Sequence, residues 1–365
     1  MRPHHLPTHP RVLHPGAWWL WALGLAAAAS RTVNPVPLLL IVVVTWFVVT
    51  LRRDDSPWAA SYSVFFKLAL VVIAIHVVFQ ALLSTQTQGL TVLFTLPEVP
   101  LPDGIGIKLG GEVTLEAVLN AVYFGLQLAA IFCCIGAANA LGSARRLLRY
   151  LPAALYELGI ATVIALTFAP QLVTDAGRVR AAGRLRGSPR GVRRFGRLAM
   201  PVLEGALERS VDLAAAMDSR GYGRTTHQSQ AERRLTAGLV LAGSLGLMIG
   251  VYGLLTASRY GVPVLVLGVA LGVVGLRVGG RRTGRTRYRP DPWALPELLV
   301  VASGATAAVL MFWTSAHSPE LLYLASPTNL PPVPVLACMG ILVGLLPAFV
   351  APPVPVPEPA LEATR

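Results

Sequence analysis

The sequence predicts an all-α polytopic membrane protein, with a bundle of transmembrane helices and two amphipathic helices on the cytoplasmic side. Hydrophobic residues make up 54% of the 365 positions and charged residues only 13%, whereas a soluble domain has roughly 25% charged residues. The net charge of +13 comes almost entirely from arginine, which gathers in short segments between apolar runs. This distribution is typical of the charge bias that orients membrane proteins, and it does not favour nucleic acid as a partner.

The apolar runs divide the chain into five regions. The predicted regions are a flexible cytoplasmic tail at 1–16, transmembrane helices 1–4 at 17–138, a cytoplasmic amphipathic-helix domain at 139–234, C-terminal transmembrane helices at 235–350 and a disordered proline-rich tail at 351–365. Histidines in the first tail, at His4, His5, His9 and His14, are also compatible with a metal site. The prolines among them favour a flexible tail, because proline breaks a regular scaffold. We therefore predict no metal and no cofactor.

Four transmembrane helices are predicted in the first half of the chain. Their bounds are 17–29, 37–51, about 64–83 and 114–138. The first two form a helical hairpin, and Arg52 and Arg53 after it mark the cytoplasmic side. The segment 84–112 is rich in proline and glycine and has no arginine, so we expect an irregular segment outside the cell.

The apolar stretch from 158 to 169 is interpreted as part of a helix that lies along the inner membrane face. Its uninterrupted run is about a dozen residues, whereas a spanning helix needs roughly 20. Arginines flank it on both sides, and a crossing would place one cluster outside, against the charge bias. The clusters are Arg145, Arg146 and Arg149 before it and Arg178, Arg180, Arg184 and Arg186 after it. We expect a long helix over 152–186, apolar in its first half and basic in its second.

A second amphipathic helix is predicted within 198–223. Pro201 suits its first turn, where the missing N–H costs nothing. Helical spacing gives it an apolar face of Leu203, Leu207, Val211, Ala214 and Met217 and an acidic face of Glu204, Glu208 and Asp212. Gly221 fits a left-handed C-terminal cap, and Pro189 just after Gly187 predicts the same stop for the upstream helix. Both helices therefore end in Arg-Gly, at Arg186-Gly187 and at Arg220-Gly221.

Four more transmembrane helices are predicted after this domain. Their bounds are 237–256, 262–276, 295–313 and 334–350. The arginine-rich segment 277–289 between the second and third of them then lies in the cytoplasm. This topology has eight spans in the cell membrane, and it leaves both termini and all the arginine clusters on the cytoplasmic side.

Sequence motifs of common enzymes are missing. The chain has no Gly-x-x-x-x-Gly-Lys-Ser/Thr loop, no His-Glu-x-x-His and no Gly-x-Ser-x-Gly, which are motifs of nucleotide binding, metalloproteases and hydrolases. Few acidic residues lie in the spans, whereas a proton relay would need several. We therefore predict no catalytic residues and no ATP binding by this chain itself.

Several motifs taken together point to a known family. The most specific is Ala216-Met217-Asp218-Ser219-Arg220-Gly221-Tyr222-Gly223; the others are Leu147-Leu148-Arg149-Tyr150-Leu151-Pro152, Phe168-Ala169-Pro170-Gln171-Leu172, His14-Pro15 and Asn34-Pro35. Over about residues 12–258 the chain resembles the transmembrane coupling component (T) of energy-coupling factor (ECF) importers, the EcfT/CbiQ family. Leu185 and Ser219 stand where the family usually has alanine before Arg-Gly.

The resemblance implies a non-catalytic subunit that transmits motion and binds no substrate itself. In the family, the two Arg-Gly helices cross beneath the membrane and their ends dock on two ABC-type ATPase subunits. This assigns ATPase docking to Arg186, Gly187, Arg220 and Gly221. The membrane-side surface of the helices moves a separate substrate-binding membrane protein, the S component, for uptake of a vitamin or a metal ion. The residues assigned to that contact are Leu158, Ile160, Val163, Ile164, Leu166 and Phe168.

Two other functional classes stay open on the residues alone. A secondary transporter or channel would show paired charges or broken helices in two related halves, and we find no internal repeat. A membrane scaffold or enzyme would use the basic segments only to hold its topology or to bind anionic lipid. Neighbouring genes for cassette ATPases and a small apolar membrane protein would favour the coupling function over both.

Overall fold

The computed structural model describes residues 13–53, 61–82, 91–99, 109–142, 147, 156–185, 193–222, 230–256, 258–280, 293–324 and 326–352. The chain divides into two compact units. The first unit combines Met1–Leu147 with Arg289–Arg365, and the second is Leu148–Tyr288. The first four and the last two predicted spans therefore belong to one unit. The spans predicted at 237–256 and 262–276 belong to the other unit, together with the two Arg-Gly helices.

The first unit is a helical bundle with a small β-hairpin. Its elements are α1 (Pro15–Ala29), α2 (Pro35–Arg52), α3 (Ser61–Leu82), β1 (Val92–Val99), β2 (Leu109–Thr114), α4 (Leu115–Leu141), α9 (Leu295–His317), a 3₁₀ turn (Pro319–Leu321), α10 (Val335–Val343) and α11 (Pro347–Val350). The second unit is helical in its described residues. Its elements are α5 (Tyr156–Leu185), α6 (Arg193–Ser219), α7 (Gln230–Leu255) and α8 (Gly261–Gly280).

The fold class predicted from the sequence is confirmed: the protein is an all-α polytopic membrane protein with little strand. Among the described residues, seven helices are long and apolar enough to cross a membrane. These candidate spans are Pro35–Arg52, Tyr62–Leu82, Leu115–Leu141, Leu158–Gly183, Gln230–Gly253, Gly261–Gly280 and Leu295–His317. Val335–Val350 is a shorter apolar helical stretch. Helix α1 begins at Pro15, two residues before the predicted start, and residues 1–12 lie outside the described part.

One argument against a membrane crossing at 158–169 is wrong. The stretch belongs to a helix of 30 residues, and Leu158–Gly183 within it is long and apolar enough to span. Threonine hydroxyls along this helix bond to the helix itself: Thr162 donates to the Leu158 carbonyl (2.7 Å) and Thr174 to the Gln171 carbonyl (2.7 Å). Such bonds satisfy a polar group inside an apolar helix. The charge argument for an interfacial helix is independent of length and stays a prediction.

The segment predicted to be irregular contains two antiparallel strands, so that prediction is wrong for the described residues. Val92 pairs with Thr114 and Leu96 with Gly111, with register shifts between Val92 and Phe94 and between Leu96 and Val99. Gly110 and Gly111 have φ of 88° and 110°, a conformation that glycine adopts easily and that suits a bulge. The glycines and Pro97 interrupt the strand pattern in the sequence, yet an edge strand tolerates both.

The core of the first unit depends on a close approach of α1 and α9. A Cβ added to Gly24 would lie 2.4 Å from the Gly304 carbonyl oxygen, and one added to Gly304 would lie 2.6 Å from the Trp21 carbonyl oxygen. Trp21 and Leu25 are fully buried there. The indole N–H of Trp21 donates to the Gly344 carbonyl at 3.1 Å. The last two predicted spans, 295–313 and 334–350, are therefore a structural part of the N-terminal bundle, a role that the sequence leaves open.

The turn between α1 and α2 is tied to the segment after α9. Asn34 caps α2 by accepting from the Val36 N–H at 3.0 Å. Its amide also donates to the carbonyls of Leu321 (2.8 Å) and Pro332 (2.7 Å). The Thr32 hydroxyl donates to the Leu322 carbonyl at 3.1 Å. Asn34 is fully buried, and its hydrogen bonds offset the cost of burying a polar amide.

At the other end of α2, Arg52 holds the last helix of the unit. Its guanidinium donates to the Ala348 carbonyl at 2.6 and 3.0 Å and to the Pro352 carbonyl at 3.2 Å. These carbonyls end α11, where a positive charge is favourable. The C-terminal end of α11 therefore lies on the same side of this unit as the C-terminal end of α2.

Helices α7 and α8 form a hairpin that is packed through glycines. A Cβ at Gly243 would lie 2.5 Å from the backbone nitrogen of Gly272, and one at Gly250 would lie 2.5 Å from the Cα of Leu265. Small residues let two helix backbones approach closely, as is common between helices in membranes. The outward side chains of both helices are largely apolar and exposed, as expected for helices that face lipid.

Candidate functional site

The end of α6 forms a complete Schellman motif. Gly221 has φ of +75°, so the predicted left-handed cap is confirmed. The Tyr222 N–H donates to the Met217 carbonyl (3.0 Å), and the Gly221 N–H donates to the Asp218 carbonyl (2.9 Å). These two bonds define the motif, and they satisfy carbonyls that the last turn of a helix leaves free. The helix therefore stops sharply at Arg220.

Arg220 and Gly221 project from this end into open space. Both are exposed, and a Cβ added to Gly221 would meet no heavy atom within 4 Å. No described carboxylate pairs with the Arg220 guanidinium. This group presents a rigid fork of N–H donors that suits a carboxylate on another molecule. Arg186 and Gly187, the corresponding pair of α5, lie outside the described residues, although α5 is described up to Leu185.

The start of α6 differs from the prediction. The helix begins at Arg193, so Pro201 lies inside it rather than in the first turn. Glu204 consequently lies in the middle of the helix. Residues 193–197, upstream of the predicted segment, add about one and a half helical turns. Proline lacks the N–H that would bond to the carbonyl four residues earlier, and the helix continues through Pro201 nonetheless.

Helix α6 exposes both of its predicted faces. The three leucine and valine positions of the apolar face, Leu203, Leu207 and Val211, are each more than half exposed. The acidic face, Glu204, Glu208 and Asp212, is exposed as well. An amphipathic helix normally buries its apolar stripe. Among the described residues, nothing covers much of that stripe.

The residues assigned to the S-component contact lie along α5. Leu158 is exposed, whereas Ile160, Val163, Ile164, Leu166 and Phe168 are half-buried. Their spacing takes them around the helix, because successive residues turn by about 100°. A single partner that lies along one side of α5 can therefore contact only part of this set.

The structure brings α5 and α6 together at a polar contact that sequence reasoning missed. The Arg209 guanidinium donates to Asp175 Oδ2 at 3.1 Å and to Gln171 Oε1 at 3.4 Å. Arg178 also reaches Asp175 Oδ1, at 3.5 Å and from the same helix. Nothing in the sequence singles out Arg209, because it is one of many arginines and its partner lies 34 residues away. Gln171 and Asp175 are four residues apart, which places both on one side of α5.

Two features stand out in the second unit: the exposed cationic end of α6 and the contact of α6 with α5. In the described part of the chain, no three metal-binding side chains come together.

Comparison with known proteins agrees with the motifs. A family model for CbiQ, described as "Cobalt transport protein", matches residues 8–231. The "Energy-coupling factor transporter transmembrane protein EcfT" of Leuconostoc gelidum subsp. gasicomitatum is 29% identical over 150 residues, which cover 36% of this chain and 54% of that protein. The chain thus matches about half the length of this curated relative. The family match ends near the start of α7, and α8 to α11 lie beyond it.

Proposed function

Since the chain belongs to the CbiQ family of cobalt transport proteins, we propose that it is the transmembrane coupling (T) subunit of an ECF-type ABC importer. Two ATPase subunits hydrolyse ATP, and this chain passes their motion to a membrane-embedded S component that carries a vitamin or a metal ion. The S component sets the transported ligand. The chain itself catalyses no reaction.

The observation that carries the proposal is the helix end at Arg220-Gly221. The Schellman motif gives that end one defined shape, and its guanidinium is exposed and pairs with no described carboxylate. Gly221 leaves the backbone open to a partner from outside. A carboxylate-lined groove on an ATPase subunit matches these features, because charge-assisted bonds to arginine are directional and strong. Arg186 and Gly187 serve the second ATPase subunit in the same way.

The proposed orientation places both Arg-Gly ends in the cytoplasm, where ATP is available. It rests on the arginine clusters, which favour the inner side of the membrane. Arg52 supports it for the first unit, because it joins the ends of α2 and α11 on one side of the bundle. Both termini are then cytoplasmic, in a multi-pass protein of the cell membrane.

The proposed contact with the S component is the apolar first half of α5. Leu158 is the most exposed of the six assigned residues. Exposed apolar side chains can pack against another membrane helix through close van der Waals contact. A movement of α5 driven from its basic end is then passed to that neighbour.

The test removes the two docking arginines and follows assembly. Full-length chain with Arg186→Ala and Arg220→Ala is purified by an affinity tag from its native host. The co-purified subunits are then identified by mass and by their ATPase activity. We expect the co-purified ATPase activity to fall more than tenfold, because each lost charge-assisted contact contributes about 1.5–3 kcal/mol. Arg234→Ala removes an exposed arginine of α7 and should leave assembly unchanged.

Three results would count against the proposal. Wild-type chain that brings down no cassette ATPase has no coupling partner and fits a membrane scaffold better. Ligand uptake by the isolated chain in ATPase-free liposomes would instead indicate a secondary transporter or channel. Unchanged assembly of the double variant would remove the docking function from these two arginines.

A further inference from the structure

Where α5 and α6 cross, one arginine joins two acceptors on the other helix. Arg209 of α6 contacts Asp175 Oδ2 (3.1 Å) and Gln171 Oε1 (3.4 Å) of α5. These acceptors stand one turn apart along α5. A single contact would let α6 rotate about it, whereas a planar guanidinium that bonds to two points along α5 also restricts the direction of that helix.

Apolar side chains lie beside this contact but do not explain its direction. The stripe Leu203, Leu207 and Val211 is mostly exposed, whereas Val202 and Leu213, on the same side of α6 as Arg209, are half-buried. The Arg209 side chain is 40% exposed and that of Asp175 24%, and exposed pairs contribute only roughly 0–1 kcal/mol to stability. The pair is therefore poorly suited to holding the helices together. What it can set is the angle at which they cross.

The position of this contact is equivalent on the two helices. Leu185, the last described residue of α5, comes ten residues after Asp175, and Ser219, the last residue of α6, comes ten residues after Arg209. Each helix end is thus about 15 Å from the contact. A change of about 20° in the crossing angle moves one end by about 5 Å relative to the other, given that arm length.

We propose that Arg209 is a positioning residue: through Asp175 and Gln171 it sets the crossing angle of α5 and α6 and thereby the distance between the two Arg-Gly ends. The inference rests on the proposed function, in which the ends receive motion from two ATPase subunits. Because the contact lies at the same distance from both helix ends, closure of the ATPase pair can turn both helices about this contact. The angle change then reaches the upstream halves of both helices.

The first experiment measures the distance between the ends in the full chain without any partner. Spin labels are attached at Leu185→Cys and Ser219→Cys, both exposed sites, and their distance distribution is recorded by pulsed electron spin resonance. Cys338 is replaced by serine, whereas Cys133 and Cys134 are buried and are retained. We expect Arg209→Gln to widen the distribution at least twofold.

Arg178→Gln is the matched control. Arg178 contacts the same carboxylate of Asp175 but belongs to the same helix and is 81% exposed. It should leave the width unchanged, because it does not join the two helices. The exchange Asp175→Arg with Arg209→Asp should restore a narrow distribution. An unchanged width in Arg209→Gln, or equal widening in the Arg178→Gln control, overturns the inference.

The second experiment separates this inference from the proposed function. The labelled chain is purified with the ATPases that accompany it, and a non-hydrolysable ATP analogue is added. In the parent complex the mean label distance should shift by several ångströms, and in Arg209→Gln this shift should be lost while the ATPases remain bound. If the mean label distance of the parent complex does not shift, the proposed function is contradicted. The distribution widths measured without partners still show whether Arg209 sets the crossing angle. A shift of the same size in Arg209→Gln overturns the inference.

Discussion

Substitution of Gly221 separates two reasons for a glycine at the end of α6. One reason is the backbone conformation, since φ is +75°. The other is the close approach of a docking partner. In the chain by itself there is room for a side chain, because a Cβ would meet nothing within 4 Å. Steric conflict within the chain therefore cannot explain any effect of a substitution.

The conformational cost is about 1–2 kcal/mol for an ordinary L residue in the left-handed region, and asparagine tolerates that region better than most. In the free chain, Gly221→Ala can avoid this cost by unwinding the last turn, which is held by the Gly221 and Tyr222 N–H bonds. Thermal stability should change little. On docking the cap must form again, so the strain alone should weaken binding by about 5- to 30-fold.

The assay is titration of the tagged, full-length variants with the cassette ATPases that co-purify with the wild type. We expect Gly221→Ala and Gly221→Asn each to lose more than tenfold in affinity, because a side chain also obstructs the partner. Gly205→Ala is the control: it lies inside α6 with open space around it and should leave affinity unchanged. Wild-type affinity in Gly221→Asn would refute close approach, and wild-type affinity in both variants would refute docking at this end.

Two further predictions concern the first unit. Gly304→Ala should destabilise the protein by about 1–3 kcal/mol, as measured by thermal unfolding in detergent. Its Cβ would lie 2.6 Å from the Trp21 carbonyl oxygen and would push the two backbones apart. Equal stability of variant and wild type would show that α1 and α9 separate without cost. Asn34→Ala should lower the free energy of unfolding by about 1–3 kcal/mol, because two carbonyls of the 318–334 segment lose their hydrogen bonds to the Asn34 amide. Proteolysis of that segment should then be faster. Asn139→Ala, which loses a bond within its own helix, is the control, and equal proteolysis in both variants would contradict the account.

Features that depend on neighbouring residues along one helix could be predicted. The left-handed cap at Gly221 follows from the end of the apolar pattern of α6 and from the conformational freedom of glycine. The class of membrane protein follows from the length of the apolar runs, and the motif around Arg220-Gly221 agrees with the family match. The roles of Arg186, Arg220 and the apolar residues of α5 stay predictions.

Three local predictions were wrong for identifiable reasons. The β-hairpin was missed because its glycines and proline interrupt the alternating pattern, although a bulged edge strand tolerates them. Pro201 was placed in a first turn, but α6 extends two turns further upstream. The apolar run in α5 was judged too short because it was ended at Pro170, whereas the helix continues through Pro170 and is apolar enough to span as far as Gly183.

By itself, the sequence determined that this chain is a helical membrane protein with a sharply capped Arg-Gly helix end, since periodicity, apolar length and caps act over a few residues. Only the tertiary structure decided that Arg209 meets Asp175 across 34 residues and that Gly24 meets Gly304 in the core. Many arginines and glycines could have filled those positions equally well by local rules. Which of them meet depends on how distant helices pack, and that choice is made by the whole fold rather than by any one segment.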